Sequence, residues 1–160
     1  MTQSDALTTD AMPAARASGR VLIARLGAER VAFDVASIHE VLDAPAVTPL
    51  PLMPRGMAGQ IPHRGSYLPV LDPSAVLGVA RAGGAGAALV LAQVPAALWV
   101  DDAEDVWDLA DAASQGVPAG SDARAMLRGL LMRDRLVVSH VDAGALASAA
   151  VAILRNGSER

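Results

Sequence analysis

Short runs of apolar residues alternate with turns that contain glycine or proline along most of this chain. Residues 21–26 and 31–35 are apolar runs joined by a Gly-containing loop, which predicts a β-hairpin. The same pattern predicts hairpins over 59–72, 88–100 and 126–141. Pro73 can begin a short helix that ends at Gly78, and Asp142 can cap a final helix. In that helix Leu146, Ala149 and Ile153 share one face, and residues 156–157 (Asn-Gly) provide the predicted stop.

The segments between these hairpins are irregular. Residues 46–53 follow or contain several prolines and are predicted to run extended along a sheet edge, and 54–58 to form one helical turn. The glycine-rich stretch 81–86 lacks the Lys-Ser/Thr ending of a phosphate-binding loop, so it is predicted to be a plain flexible loop. Residues 110–123 are predicted to form a long surface loop. The whole pattern indicates a mainly β, barrel-like fold with no obvious internal sequence repeat.

Composition narrows the classes of function. The chain has 160 residues, a net charge of −4 and no cysteine, which excludes disulfides and thiolate metal sites. Four aromatic residues and a mildly acidic balance argue against nucleic acid as a partner. Residues 1–18 lack periodicity and a signal-peptide pattern, which predicts a disordered tail. The longest apolar stretch, 143–154, is too short to span a bilayer, so we expect a cytoplasmic protein with no direct membrane insertion.

Residue types that carry catalysis are sparse. His39, His63 and His140 lie on different predicted hairpins without metal-ligand neighbours at helical spacing. The acidic residues of 101–105 (Asp101, Asp102, Glu104 and Asp105) read as a solvated face. An alternative is a small β-barrel ligand binder or enzyme that uses these carboxylates with a histidine. We expect no catalytic residue, no metal and no cofactor, and binding is favoured over catalysis.

Two isolated charges stand out among apolar neighbours. Arg64 lies at the predicted turn of the hairpin over 59–72, and Glu40 lies between Ile38 and Val41. An arginine at a turn in an otherwise uncharged segment calls for a carboxylate partner or a binding surface. If the two strands pack side by side, the two charges meet, and otherwise each points independently into water. The residues alone leave both arrangements open.

The segment 59–72 has the pattern G-x-I-x-x-R-G-x-x-x-P-V-x-D, which resembles the signature of the CheW family of chemotaxis coupling proteins. The likeness continues from Val21 to Leu146. It includes the opening hairpin, Ile38-His39-Glu40-Val41, Thr48-Pro49-Leu50-Pro51, the segment Val100–Val106, and the closing stretch from Leu136 to Leu146. Single pieces are weak, but their order and spacing together are specific. The chain departs from the family at Pro62-His63, where Asn-Leu is usual, and at Pro73, where Leu is usual.

The resemblance implies two small SH3-like β-barrel subdomains packed on a shared hydrophobic core, with short helices and a C-terminal helix. Residues 19–155 would form this CheW-like domain of two intertwined lobes, and 156–160 a tail. It also implies a non-catalytic adaptor at the membrane-associated chemoreceptor array. Its partners would be the regulatory domain of a CheA-type histidine kinase and the cytoplasmic tip of a methyl-accepting chemoreceptor. A coupler in a non-flagellar, pilus-type pathway is an alternative.

The resemblance also assigns site residues. Ile38 and Gly59 match positions associated with kinase contact, and Arg64 and Val106 match positions associated with receptor contact. Glu40 and Arg64 match a pair that forms a structural salt bridge in the family.

Overall fold

The computed structural model describes residues 19–117 and 125–158, so the predicted tail 1–18 lies outside the described residues. The strands are β1 Arg20–Leu26, β2 Glu29–Asp34, β3 Ile38–Asp43, β4 Met57–His63, β5 Ser66–Leu71, β6 Ala87–Leu91, β7 Ala97–Val100, β8 Asp102–Asp108, β9 Ala113–Gln115, β10 Leu127–Arg133 and β11 Leu136–Val141. The helices are α1 Pro73–Leu77 and α2 Ala143–Ser158, with short 3₁₀ turns at Val35–Ser37 and Leu109–Asp111. No helix of the described residues is long and apolar enough to cross a membrane.

The strands form two sheets, which we call lobe 1 and lobe 2. Lobe 1 has the strand order β8-β1-β2-β11-β10-β9, and lobe 2 has the order β3-β6-β7-β5-β4. Neighbouring strands are antiparallel except for the parallel pairs β2–β11 and β5–β7. The predicted mainly β fold with short helices and a C-terminal helix is therefore confirmed.

Alternation along the central strands explains how the two lobes share a core. In β1, Val21 and Ile23 face the interior of lobe 1, whereas Leu22, Ala24 and Leu26 face the centre of the molecule. In β6, Ala88 and Val90 likewise face the interior of lobe 2, and the residues between them face the same centre. Strands buried on both faces read as continuous apolar runs, as these do. The central cluster also includes the inner face of α2, formed by Ala143, Leu146, Ala147 and Ala150.

The chain repeats one topology twice and exchanges part of it between the lobes. Strands β1, β2, β3, β4 and β5 correspond to β6, β7, β8, β10 and β11, in that order. When each strand of lobe 2 is replaced by its counterpart, the order β3-β6-β7-β5-β4 becomes β8-β1-β2-β11-β10, which is the order in lobe 1. The first two strands of each repeat lie in one lobe and its later strands lie in the other. Each lobe is thus completed by both halves of the chain, and the absence of an obvious sequence repeat hides this symmetry.

The hairpins β4–β5 and β10–β11 show the correspondence in detail, at a constant offset of seventy residues. Each has a β-bulge beside a glycine with positive φ, Gly59 (φ +143) and Gly129 (φ +152). A Cβ on Gly59 would collide with the Thr48 carbonyl oxygen, and one on Gly129 with that of Gln115. Both glycines therefore permit a neighbouring segment to approach the hairpin closely.

Several local predictions need correction. Residues 54–58 form a turn that leads directly into β4, with the Met57 N–H bonded to the Pro54 carbonyl, and not a helical turn. The predicted surface loop 110–123 contains the end of a 3₁₀ turn and β9, and 118–124 lie outside the described residues. Helix α2 buries Ala147 and Ala150 beside Leu146, while Ala149 lies beside this face. The helix also continues to Ser158, so the predicted stop at 156–157 is too early.

Candidate interaction surface

The two edge strands of lobe 2, β3 and β4, meet through side chains. We call this contact the seam. Although three strands separate β3 from β4 in the sheet, His63 Nε2 lies 2.5 Å from Glu40 Oε1. A carboxylate can only accept, so the imidazole N–H is the donor. Arg64 Nη2 lies 3.8 Å from the same Glu40 oxygen. The sheet therefore curls until its edges are joined by an acid shared between an imidazole and a guanidinium.

Local geometry explains why these side chains converge. A β-bulge between Ile38 and Glu40 turns Glu40 onto the face that also carries Leu42, which packs against the lobe 2 cluster. His63 shares a face of β4 with the buried Ile61. Arg64 then occupies the first position of a two-residue turn, where both it (φ +51) and Gly65 (φ +78) adopt the left-handed conformation of a type I′ hairpin.

The seam residues differ in accessibility. The His63 side chain is 15% exposed, whereas the Arg64 side chain is 69% exposed. The hydrogen bond from His63 is the main reason that the pKa of Glu40 lies below its ordinary value, with the positive potential of Arg64 adding to it. Glu40 is therefore ionised at neutral pH. Arg64 is an exposed cation beside Glu40, and the closest partner of the Glu40 carboxylate is His63 and not Arg64.

Ile38 and Gly59 occupy protected positions in lobe 2. Ile38 begins β3 opposite Leu91, and its half-buried side chain packs against the central cluster. Gly59 is buried in β4 beneath Thr48, whose segment is held by a two-hydrogen-bond bridge to Gln60. Any influence of Gly59 on a partner therefore passes through the path of residues 46–50, because the glycine itself is covered.

Val106 lies in lobe 1, on the edge of the sheet away from β9. The register of β8 against β1, with a bulge before Asp105, matches that of β3 against β6, so Val106 corresponds to Val41. The two side chains are equally exposed, at 44% and 43%. Sequence analysis singled out Val106 and passed over Val41. The signal that could have found Val41 is the repeated acid-Val-apolar order that follows each bulge.

Three of the four acidic residues of 101–105 are engaged in the fold. The buried Asp101 carboxylate accepts hydrogen bonds from the backbone N–H groups of Gly27 (2.6 Å) and Ala82 (3.1 Å). Arg81 Nη2 lies 3.4 Å from its other oxygen. Burial opposes ionisation, but these hydrogen bonds and the guanidinium outweigh it and hold the pKa of Asp101 below its ordinary value.

Glu104 and Asp105 of this segment also have partners, whereas Asp102 is exposed. Glu104 contacts Arg25 (3.3 Å) and Arg30 (2.7 Å), and Asp105 accepts a hydrogen bond from the indole of Trp107. The histidine contacts observed in the described residues go elsewhere, from His63 to Glu40 and from His140 to Asp34. Within residues 19–117 and 125–158 no cluster of three His, Asp or Glu side chains could hold a metal ion. Asp101 and Glu104 therefore form structural ion pairs, and Asp105 forms a hydrogen bond to Trp107.

Arg81 is a structural residue that sequence analysis did not identify. Its guanidinium lies 3.8 Å from Asp72, the N-cap of α1, and 5.2 Å from the centre of the Trp99 ring. Together with Asp101 it fastens the glycine-rich segment to the junction of the lobes. The prediction of a plain flexible loop over 81–86 is therefore wrong at its first two residues. The signal that was missed is a pair of charges: Arg81 stands directly before the glycines, and Asp101 directly follows the buried strand β7.

Comparison with known proteins identifies the family. The family model of the CheW-like domain matches residues 20–151, which include strands of both lobes and most of α2. The chain belongs to the CheW-like family. It is 32% identical over 136 residues to the probable chemotaxis protein CheW of Rhizobium etli, covering 81% of this chain and 88% of the relative. It is also 32% identical over 120 residues to the chemotaxis protein CheW of Rhizobium meliloti, covering 71% and 77%.

A solved structure supports the same fold. The crystal structure of scaffolding protein TtCheW from Thermoanaerobacter tengcongensis matches with a TM-score of 0.71 at 21% identity, covering 81% of this chain and 87% of that one. Each of the predicted site residues of this CheW-like domain falls inside the matched range: Ile38, Glu40, Gly59, Arg64 and Val106. The seam therefore belongs to the matched family domain.

Proposed function

We propose that this CheW-like domain is a non-catalytic adaptor that couples a CheA-type histidine kinase to chemoreceptors at a cytoplasmic array. The observation that carries the proposal is the family match across both lobes. The names of the relatives, chemotaxis proteins and a scaffolding protein, point in the same direction. Asp101 and Glu104 are occupied by structural ion pairs, which gives no support to a catalytic centre built on them.

We assign the kinase-facing side to Ile38 and Gly59 and the receptor-facing side to Arg64 and Val106. The exposed guanidinium of Arg64 and the exposed Val106 side chain suit direct contact. Gly59 suits an indirect role, because it sets the path of the segment around Thr48. In this assignment the pair Glu40 and Arg64 shapes the surface more than it stabilises the fold, since an exposed ion pair contributes little.

The test is co-sedimentation of the purified chain with membranes that contain a chemoreceptor and its CheA kinase. Arg64→Glu places a negative charge on the receptor-facing side, and we expect binding to weaken by at least about tenfold. Arg135→Glu is the matched control, because Arg135 is exposed on the corresponding turn of lobe 1. Failure of the unaltered chain to sediment would overturn the adaptor function. Equal binding by Arg64→Glu and the control would overturn the assignment of Arg64.

The kinase-facing assignment needs its own measurement. Ile38→Ala removes apolar contact area at the start of β3, and we expect weaker binding to the isolated regulatory domain of the kinase. Val106→Ala provides the control for this partner, because Val106 is assigned to the receptor. Binding that falls with Val106→Ala and not with Ile38→Ala would reverse the two assignments.

A further inference from the structure

The Glu40 carboxylate at the seam has two potential cationic partners, and they are not equal. His63 and Arg64 both approach the oxygen Oε1, at 2.5 Å and 3.8 Å. The first distance is that of a strong hydrogen bond, and the second exceeds the range of a hydrogen bond. The acid is therefore held by the imidazole hydrogen bond, and the guanidinium makes only a longer ion pair with the same oxygen, without a hydrogen bond.

The positions of the two side chains maintain this inequality. His63 lies on the interior side of β4, with Ile61 two residues before it, and it is largely buried. Arg64 lies on the hairpin turn beyond the last paired residues of β4 and β5, and most of its side chain is in solvent. An apolar residue at position 63 could not donate to Glu40, and the long arginine side chain could then swing onto the vacated oxygen.

We propose that His63 is a positioning residue, which occupies Glu40 so that the Arg64 guanidinium stays free to bind a carboxylate on the partner. This inference rests on the proposed adaptor function and names the chemistry that the receptor must present: an acidic side chain opposite the turn of β4–β5.

The first experiment uses the purified chain alone and needs no partner. Side-chain NMR of the Arg64 Nε–H reports whether the guanidinium is mobile or held against Glu40. In the unaltered chain we expect a mobile Arg64 side chain. In His63→Leu we expect slower hydrogen exchange and reduced mobility of the same group. His63→Gln keeps a donor for Glu40, so Arg64 should remain mobile. An Arg64 side chain that is equally mobile in His63→Leu, or already immobile in the unaltered chain, would overturn the proposal.

The second experiment measures affinity for the purified cytoplasmic fragment of a chemoreceptor. We expect His63→Leu to weaken binding by about twofold to fivefold, the factor that corresponds to one exposed ion pair. It should also reduce the dependence of affinity on salt concentration. Adding Glu40→Gln to His63→Leu removes the charge that captures Arg64, so the double variant should bind more tightly than His63→Leu alone. A purely structural role for His63 predicts that the second substitution makes binding worse.

Failure of the adaptor function and failure of the positioning role of His63 give different results. If the unaltered chain does not bind the receptor fragment, the adaptor function loses its support, and the NMR measurement still decides whether His63 controls Arg64. If the unaltered chain binds and His63→Leu binds equally well while it remains folded, the positioning role is wrong and the adaptor function stands.

Discussion

In each lobe an arginine connects the aspartate before a helix to a second aspartate, but the two connections lie in different surroundings. Arg81 links Asp72, before α1, to Asp101, and its side chain is 20% exposed. In lobe 1 Arg128 links Asp142, before α2, to Asp34, and its side chain is 50% exposed. A similar set of charges thus occurs twice, once largely inside the protein and once at its surface, although Arg81 follows α1 and Arg128 lies in β10.

The difference in burial decides how much the Arg81 and Arg128 connections contribute to the stability of the fold. Removing one partner of a buried ion pair leaves an uncompensated charge in a medium of low dielectric, whereas water replaces a lost partner at the surface. The Arg81 connection also joins the turn after β1 to the glycine-rich segment through the Asp101 carboxylate. We therefore expect lobe packing to depend on Asp101, and the Arg128 connection to be nearly dispensable.

The largest effect is expected from Asp101→Ala. This change leaves two backbone N–H groups and Arg81 without their acceptor, and it should lower the free energy of unfolding by about 3–5 kcal/mol. Urea denaturation followed by circular dichroism measures the loss. The matched variant is Arg128→Ala, for which about 1 kcal/mol or less is expected. Equal losses for the two variants would show that the two connections are equivalent.

Acid should expose the same contrast. Because the pKa of Asp101 is lower in the folded chain than in the unfolded chain, its contribution to stability is complete above the unfolded pKa, near 4. This contribution is lost as the pH falls through the lower, folded pKa. Asp101→Asn removes the titrating group, so the free energy of unfolding of this variant should fall less steeply below pH 4 than that of the unaltered chain. The difference in slope should correspond to about one proton fewer taken up on unfolding. Parallel pH profiles would show that Asp101 does not titrate with unfolding.

Gly59 and Gly129 occupy corresponding positions in lobe 2 and lobe 1, so the costs of the same substitution in the two lobes can be compared. Alanine at either position would force a disfavoured φ and press on a carbonyl oxygen, and we expect each change to cost about 1–3 kcal/mol. The neighbour of Gly129, Gln115, is part of β9, whereas Thr48 is held by a single isolated bridge and can move. Gly129→Ala should therefore be the more costly change in thermal unfolding. The reverse order would indicate that the segment around Thr48 is the more rigid of the two.

The sequence predicted correctly those elements that depend only on neighbouring residues. Pro73 at the first position of α1 and Gly78 in the left-handed conformation after it follow directly from backbone preferences, and both lie where they were predicted. The hairpin over 59–72 is equally local, since Gly65 permits its turn. These features depend on a few neighbouring residues, which is why the mainly β fold could be derived from the pattern.

Features that join distant parts of the chain were beyond the sequence. The contact between Gly27 and Asp101 spans 74 residues, and no local pattern links them. The internal repeat was hidden because geometry is conserved between its halves while side chains are not, as at the turns Arg64-Gly65 and Asp134-Arg135. At the seam, the residues alone left open whether Glu40 meets Arg64, the family resemblance implied that it does, and neither pointed to His63. Only the folded structure shows which of the two side chains is closer to Glu40.

Substitutions at the turns Arg64-Gly65 and Asp134-Arg135 should change the free energy of unfolding least, and in opposite directions in the two lobes. The second turn residue has positive φ in both lobes, +78 at Gly65 and +68 at Arg135, yet only lobe 2 uses glycine there. A Cβ on Gly65 would meet no atom within 4 Å, so Gly65→Ala costs only the backbone strain, about 1 kcal/mol. Arg135→Gly relieves the same strain in lobe 1 and should raise the free energy of unfolding by about 1 kcal/mol or less, because glycine also gains entropy in the unfolded chain. Urea denaturation of both variants should therefore move the midpoint in opposite directions. A shift in the same direction for both would mean that side-chain contacts of Arg135, and not its backbone angles, set the stability of that turn.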